Sequence, residues 1–467
     1  MSISPDDKKK SLRFSVLDGS FYSIMVGFGE SFFSAFAIFL HATNTQLALL
    51  GSLPQMLGSV LQLFSRRLLL FFASRKKFVV FSATCQALMH VFIAGAYFFD
   101  ALSVPILIAC VALYLSFAMV PGPVWSSWMG DLVNEEERGM YFGRRNKICG
   151  FASFVSFLIA GFILQEVSGT NKYYGFLVLF GIALVARLIS VSYLARKTDP
   201  PCDLPAKNPY PFFSFLSEVT STNYGFFVMF LWFINFAVFL SGPFFAPYML
   251  NHLHLSYMEF TLVTASTIIA KLLFMPIWGK AADTYGTRKL LVLSAILIVP
   301  VPALWLFGSA VWYLILIQLY SGFVWAGFEL TTFNFLFDTT QPSKRTSSIA
   351  YYNVLNGVFL FLGSLMGTFL ISIDEGVFSS SYLFVFLVSS VLRGIACICF
   401  LHRLKEVRNV APVRYQDLLL NVLTVMPTMG VINQVVAITQ ETGKKIQMRF
   451  KDIDETVHHW LWQSKQR

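Results

Sequence analysis

The sequence predicts an all-α integral membrane protein, with twelve transmembrane helices in two pseudo-symmetric six-helix bundles. Three observations support this fold class: the composition, the spacing of the apolar runs, and a polar segment that occurs twice. Of the 467 residues, 56% are hydrophobic and 13% are charged, and the mean hydropathy is +0.64. Soluble domains carry about 25% charged residues. The composition therefore excludes a soluble domain.

Twelve apolar runs are each about as long as the 20 residues that a helix needs to cross the hydrocarbon of a bilayer. The predicted spans are 16–40, 45–64, 78–98, 102–128, 142–165, 173–194, 223–250, 259–278, 290–308, 311–336, 347–371 and 380–402. The first run is too long for a signal peptide, so we expect no cleavable targeting segment.

The basic residues lie almost entirely on one side of this map. Of the 35 Lys and Arg residues, 31 fall in the N-terminus, the loops 65–77, 129–147, 195–222, 279–289 and 337–346, and the tail from 403. The loops on the other side contain only Lys172. An excess of Lys and Arg marks the cytoplasmic side. We therefore expect a multi-pass protein of the cell (inner) membrane with both termini cytoplasmic, and a net charge that reflects topology, not nucleic-acid binding.

A polar segment between apolar runs occurs twice with a constant offset of 207 residues. The first copy is Asp131, Arg138, Asn146 and Gly150, and the second is Asp338, Arg345, Asn353 and Gly357. Six predicted spans separate the copies, so both face the same side, as in parallel repeats. The Asp–Arg pairs could form salt bridges that break and re-form between the halves. Alternatively, each pair caps its own helix hairpin.

The repeat divides the chain into a first half, 1–195, and a second half, 223–402. The segment 196–222 is rich in proline and is predicted to be a cytoplasmic linker. In the tail, 403–467, the uncharged run 418–439 resembles a further span, but crossing would export four basic residues. We expect amphipathic helices on the cytoplasmic surface there.

The loop after the eighth predicted span reads GKAADTYGTRK. It resembles the G-x-x-x-D-x-x-G-x-R-K loop signature of the major facilitator superfamily, and the resemblance extends over essentially residues 14–402. The matching positions are Gly279, Asp283, Gly286, Arg288 and Lys289. The resemblance implies secondary transport by alternating access between two rocking halves.

In that family, the acidic residue of this loop is implied to hold the opposite half when the cytoplasmic side is closed. Here Asp283 would meet the start of the fifth span near Tyr141, with Arg144 and Arg145 nearby. The alternative is that Asp283 only caps a turn in its own half. The equivalent loop of the first half keeps Arg75 and Lys76 but has Leu70 and Ala73 where Asp and Gly belong. We therefore expect its basic residues to serve topology alone.

Ionisable groups at mid-depth are costly and are functional candidates by default. Glu30 in the first span and Glu329 in the tenth are candidates for proton or substrate binding, as are His90 in the third and Lys271 in the eighth. The non-functional alternatives are that Lys271 extends towards the membrane surface and that His90 only forms hydrogen bonds within its helix bundle. Arg187 and Arg393 recur near the ends of the two halves, which favours structural pairing within each half.

Several other kinds of site are not supported. The six cysteines are scattered, and His252 and His254 lack further ligands nearby, so neither a metal nor another cofactor is predicted. There is no G-x-x-x-x-G-K-[ST] segment for direct use of ATP. No nucleophile–base pair indicates an enzyme. The fifth span lacks G-x-x-x-G-P-x-x-G-G, a pattern of many drug antiporters in the family, which disfavours drug export.

The sequence thus predicts a secondary active transporter that moves a small solute, acts as a monomer among membrane lipids and binds no nucleic acid. Proton coupling through Glu30 or Glu329 is a hypothesis. The alternative is a non-transporting membrane sensor or scaffold that acts through its C-terminal tail.

Overall fold

The computed structural model describes residues 4–95, 103–134, 137–167, 172–200, 210–340, 344–373 and 378–407. Within these ranges all regular secondary structure is helical. Residues Met1–Asn409 form one compact unit, and Val410–Arg467 form a second. The tail helices expected in the second unit lie outside the described residues.

The helices follow the predicted order of spans. Those of the first half are Asp6–Phe39, Asn44–Gln62, Arg75–Gly95, Val104–Leu132, Arg138–Val167 and Lys172–Arg196. Those of the second half are Asn223–His252, Tyr257–Tyr285, Thr287–Leu297, Val311–Thr339, Arg345–Ile373 and Ser381–Phe400. Among the described residues, ten helices can cross a membrane by length and hydropathy. Asn44–Gln62 joins Ser65–Phe72 across a 60° bend as an eleventh. The chain is therefore an integral multi-pass membrane protein.

Three spans, besides the ninth, are interrupted where their sequence contains Gly or Pro. The first span is helical over Pro5–Phe28, passes through a 3-10 turn at Glu30–Phe32 and resumes over Phe33–Phe39. The fourth breaks at Pro121, and the seventh passes through 3-10 and π turns near its two prolines. Such breaks are tolerated in membranes where neighbouring helices satisfy the backbone.

The first helix begins well before the predicted start of its span. Ser4 caps it, because its hydroxyl accepts a hydrogen bond from the Asp7 amide at 3.2 Å. The charged segment before the apolar run is therefore a helical extension on the basic side.

The ninth span differs most from its prediction over 290–308. Its helix covers only Thr287–Leu297, and a 3-10 turn follows at Ala303–Leu306. Pro300 and Pro302 lie between them and prevent a continuous helix. The predicted span is therefore only partly α-helical in the structure.

Side chains of the tenth and twelfth spans satisfy the carbonyl groups that this break exposes. The Tyr320 hydroxyl donates to the carbonyl of Leu297 at 2.8 Å. Arg393 donates to the carbonyl of Ile298 at 3.1 Å, and Ser390 donates to the next carbonyl along the chain. Arg393 is 2% exposed. Arg393 thus has a structural role within its half, because it hydrogen-bonds a carbonyl group that the broken helix leaves unpaired.

The second span packs on the eleventh, and the fifth packs on the eighth, so both contacts join the two halves. The glycines of the repeated segment lie in these contacts. A Cβ on Gly150 would be 2.5 Å from Leu272 Cδ2, and a Cβ on Gly357 would be 3.0 Å from the Cα of Met56. The repeat therefore places a glycine at each of two symmetry-related crossings.

Further contacts between the halves lie at the side opposite the basic loops, which we call the opposite side. The loops 65–77 and 279–289 lie on the other one, the basic side. At the opposite side, the Tyr382 hydroxyl donates to Asn44 Oδ1 at 2.8 Å, and Gln165 Oε1 accepts from the Met258 amide at 3.4 Å. These contacts join the two halves at that side.

The loop with the family signature contains a residue with positive φ, and so does the equivalent loop of the first half. Gly286 has φ 95° and ψ 147°, a conformation adopted almost only by glycine. Ala73, where the first half lacks the glycine, has φ 53° in the left-handed region. Both turns thus use a positive φ, but their ψ values differ, at 10° for Ala73 and 147° for Gly286.

We therefore expect opposite effects from exchanging the two residues. Ala73→Gly should stabilise the protein by about 1 kcal/mol because it removes left-handed strain. Gly286→Ala should destabilise it by about 1–3 kcal/mol. Thermal unfolding in detergent, followed by tryptophan fluorescence, measures both. Equal shifts in the same direction would contradict the assignment.

Candidate functional site

In the second half, two of the predicted candidates form an ion pair inside the membrane. Lys271 Nζ lies 2.5 Å from Glu329 Oε1, and the two side chains are 32% and 45% exposed. Lys271 precedes Leu272, which packs on Gly150 of the first half. The pair thus lies on a partly exposed face near the junction of the halves.

In the first half, the structure brings the other two candidates together. Glu30 lies in the break of the first span, and its Oε2 accepts a hydrogen bond from the Tyr114 hydroxyl at 3.0 Å. The His90 ring meets the Tyr114 ring edge-on at 5.3 Å between centroids. His90 is 1% exposed, whereas Glu30 is partly buried. This carboxyl group therefore has a neutral hydrogen-bond donor where Glu329 has a cation.

A buried ion pair that the sequence analysis missed lies closer to the basic side. Lys197 Nζ is 3.0 Å from Asp18 Oδ2, and the side chains are 0% and 5% exposed. Ser190 donates to Asp18 Oδ1 at 2.8 Å and accepts from Arg187 at 2.8 Å. Burial lowers the pKa of Lys197, and the Asp18 carboxylate opposes that shift. Arg187 is thus paired within its half, as expected.

The sequence does not single out Asp18 or Lys197. Asp18 lies at the start of the first predicted span, and Lys197 lies in the basic loop 195–222. An uncompensated charge at either position would be costly. The observation that an acid near the start of the first span needs a partner could have found Lys197, which follows the sixth span directly.

On the basic side, Asp131 pairs with Arg75 and not with Arg138. Arg75 Nη1 lies 2.7 Å from Asp131 Oδ2, and Arg75 is 1% exposed. Arg138 donates to the carbonyl of Gly130 at 3.2 Å, which favours the helix-capping alternative for this residue. The expectation that Arg75 serves topology alone is wrong, because it is buried and also lies 3.6 Å from Asp199.

The second half repeats this arrangement around the ninth span. Thr287 donates to Asp338 Oδ2 at 3.2 Å. Glu406 accepts from the Arg288 amide at 3.0 Å, just as Asp199 accepts from the Lys76 amide at 3.3 Å. Asp199 and Glu406 are also 207 residues apart, so the offset of the repeat could have revealed these caps.

The remaining residues of the family signature lie in this region. Gly279 and Asp283 belong to the helix Tyr257–Tyr285, and Lys289 belongs to the helix Thr287–Leu297. Arg345 begins the eleventh span, but its side chain lies outside the described part of the chain. Therefore the Asp338–Arg345 pair stays a prediction.

Two of the residues expected to meet Asp283 are engaged in the first half in this conformation. The Tyr141 hydroxyl donates to the carbonyl of Leu12 at 3.0 Å. Arg145 donates to the carbonyl of Ser15 at 3.1 Å and stacks on the Trp125 ring at 4.9 Å. Both residues thereby hold the start of the fifth span against the first.

Two helical halves, with charged groups at mid-depth near their junction, define a membrane transporter. The sequence matches the family profile of the Major Facilitator Superfamily over residues 19–245 and 225–438. The chain belongs to this superfamily. The prediction of a secondary transporter with this fold is confirmed.

Individual relatives are distant. Multidrug resistance protein 3 of Bacillus subtilis (strain 168) is 29% identical over 112 residues, which span 24% of this chain and 22% of that relative. The D-xylose–proton symporter superposes with a TM-score of 0.67 at 13% identity, covering 86% of this chain and 99% of the symporter. A bacterial homologue of the human lysosomal transporter Spinster, inward-facing and unoccupied, gives 0.62 at 13% identity, covering 86% and 97%. These likenesses show the fold.

The buried Asp18–Lys197 pair should contribute more to the free energy of unfolding than the exposed Glu218–Lys344 pair. Asp18→Asn leaves Lys197 buried without its counter-charge and should cost about 3–5 kcal/mol. Glu218→Gln disrupts a 2.8 Å pair with Lys344 in which both side chains are 36% exposed, so its cost should stay below about 1 kcal/mol. Thermal unfolding of both variants in detergent tests this. A similar loss for both would show that the Asp18 pair is solvated.

Proposed function

We propose that this chain is a proton-coupled transporter of a small polar solute in the inner membrane, with the basic side facing the cytoplasm. The distribution of Lys and Arg supports the orientation. The solute would bind in the second half, and the coupling proton would bind in the first half.

The observation that carries this proposal is the different setting of the two intramembrane carboxyl groups. Glu329 is partly exposed and already neutralised by Lys271 at 2.5 Å. A solute with polar or charged groups can bind there by replacing that contact. Glu30 has only the Tyr114 hydroxyl as a described hydrogen-bond partner. A carboxyl group that forms no ion pair is suited to carry a proton, since the protonated form is neutral in the membrane.

Glu30→Gln and Glu329→Gln should therefore affect transport differently. Glu30→Gln should abolish dependence of uptake on a pH gradient while exchange of solute across the membrane continues. Glu329→Gln should reduce both uptake and exchange of the solute, because the solute site loses a charge. Metabolite uptake and exchange by proteoliposomes, with and without a pH gradient, separate the two. Transport that stays proton-dependent in both variants would rule out the coupling role of either carboxyl group.

For the outward-facing conformation, we propose that Asp283 holds the start of the fifth span near Tyr141 and Arg144. In the present conformation Tyr141 and Arg145 bond the first span. A helix N-terminus and two arginines form a favourable site for a carboxylate.

Asp283→Asn should shift the population of the protein towards the inward-facing state. Engineered cysteines at the two sides of the junction report this through their rates of alkylation, with labelling on the cytoplasmic side rising in the variant. Lys280→Gln, one turn earlier on the same helix, is the matched control. Unchanged accessibility in Asp283→Asn would contradict the proposed role.

A further inference from the structure

A second polar site lies inside the first half, on the side of Glu30 that faces the third and sixth spans. Neither amide atom of Gln86 forms a hydrogen bond within the described part of the chain, although Gln86 is 0% exposed. The same holds for His90 Nε2 and Arg187 Nε. Four buried polar atoms from two spans are thus left without partners.

These groups lie near one another around the Tyr22 side chain. Arg187 stacks on the Tyr22 ring at 4.8 Å, and Glu30 and Arg187 both lie within electrostatic range of the Tyr22 hydroxyl. That hydroxyl also faces the Gln86 amide without reaching hydrogen-bond geometry. The third, fourth and sixth spans contribute Gln86, His90, Tyr114 and Arg187, and the first contributes Tyr22 and Glu30.

His90 is oriented as an acceptor towards this place. Its Nδ1 lies 3.3 Å from the carbonyl of Ala87, which makes Nδ1 the protonated nitrogen. Its Nε2 faces the break in the first span, since a Cβ on Gly29 would be 2.6 Å from it. Gly29 directly precedes Glu30. The unpaired nitrogen therefore lies beside the backbone that carries the coupling carboxyl group.

A buried polar group without a partner costs about 1–3 kcal/mol. Several such groups around one place are usually satisfied by ordered water, which makes two to four hydrogen bonds to them. The cluster offers both kinds of partner that water needs. Gln86, Arg187 and the tyrosine hydroxyls donate, while His90 Nε2, Gln86 and Glu30 accept.

We propose that Tyr22, Gln86, His90 and Arg187 bind a small cluster of ordered water molecules beside Glu30. This inference rests on the proposed proton-coupling role of Glu30 and adds where its proton is exchanged. Water at this site reaches Glu30 from within the first half, away from the Lys271–Glu329 pair. Glu30 therefore gains and loses its proton while a solute occupies the junction of the halves.

The site continues towards the basic side through groups that are already bonded. Arg187 donates to Ser190, Ser190 donates to Asp18, and Lys197 donates to the other oxygen of that carboxylate. The water cluster would complete a polar column from Glu30 to this buried pair. Arg187, fixed at one end by Ser190, orients the nearest water molecules.

Infrared difference spectroscopy of the full-length protein in lipid nanodiscs tests the site. The carboxyl band that Glu30→Gln removes belongs to Glu30, and its shift on transfer to D2O gives the rate of proton exchange. Gln86→Leu fills the site with an apolar group of similar size and should slow this exchange by about tenfold. Gln55→Leu is the matched control, because Gln55 bonds the carbonyl of Gly51 in its own helix, and it should exchange as the wild type does.

The outcomes distinguish the two proposals. If Glu30→Gln removes no band, both the coupling role of Glu30 and the water site are overturned. If the band is present but Gln86→Leu exchanges as fast as Gln55→Leu, only the water site is overturned. A dry site would also make Gln86→Leu more stable than the wild type. Replacing K⁺ with Na⁺ at constant pH should leave the band unchanged, and a shift would assign the site to a cation instead. Gln86→Met serves where the leucine variant does not fold.

Discussion

Charged and hydrogen-bonding groups inside a membrane must find partners within the protein, because the hydrocarbon supplies none. The first half meets this constraint with the Asp18–Lys197 pair and its bonds to Ser190 and Arg187. The second half meets it by turning Arg393 towards the carbonyl of a broken helix. The two arginines occupy related places in the repeat, yet one serves a carboxylate and the other serves the backbone.

The halves are therefore similar in architecture and different in chemistry. On the basic side their symmetry is close. In each half an acidic residue caps the helix that follows the signature loop, at Asp199 and Glu406. At mid-depth the symmetry ends, because only the second half has a lysine beside its carboxylate. We propose that this difference allows one half to bind a polar solute and the other to carry a proton.

Much of the fold follows from the amino-acid pattern. Long apolar runs, the one-sided distribution of Lys and Arg, and the repeat at an offset of 207 residues together predict the order of the spans and the division into two halves. Pro300 and Pro302 indicate a bend in the ninth span, but the sequence pattern does not show that its helix ends at Leu297. The early start of the first helix depended on a single cap at Ser4.

The sequence predicts the individual candidate residues of the site but not which of them contact one another. Mid-depth position identified Glu30, His90, Lys271 and Glu329 as candidates. Which of them meet depends on helix rotation, and small errors in rotation change the partner. Arg75 shows the limit most clearly. The sequence shows a basic residue in a basic loop, and only the packing of the third and fourth spans reveals that it is buried against Asp131.

The interrupted ninth span also bears on how the protein is made. Its helix of eleven residues is too short to cross the bilayer alone, and the groups that satisfy its exposed carbonyls come from the tenth and twelfth spans. Those spans leave the ribosome later. The ninth segment therefore reaches its final structure only when the twelfth has been synthesised and inserted, so the second half completes its assembly as a unit. Truncation before Ser390 would deprive the nascent chain of that completion.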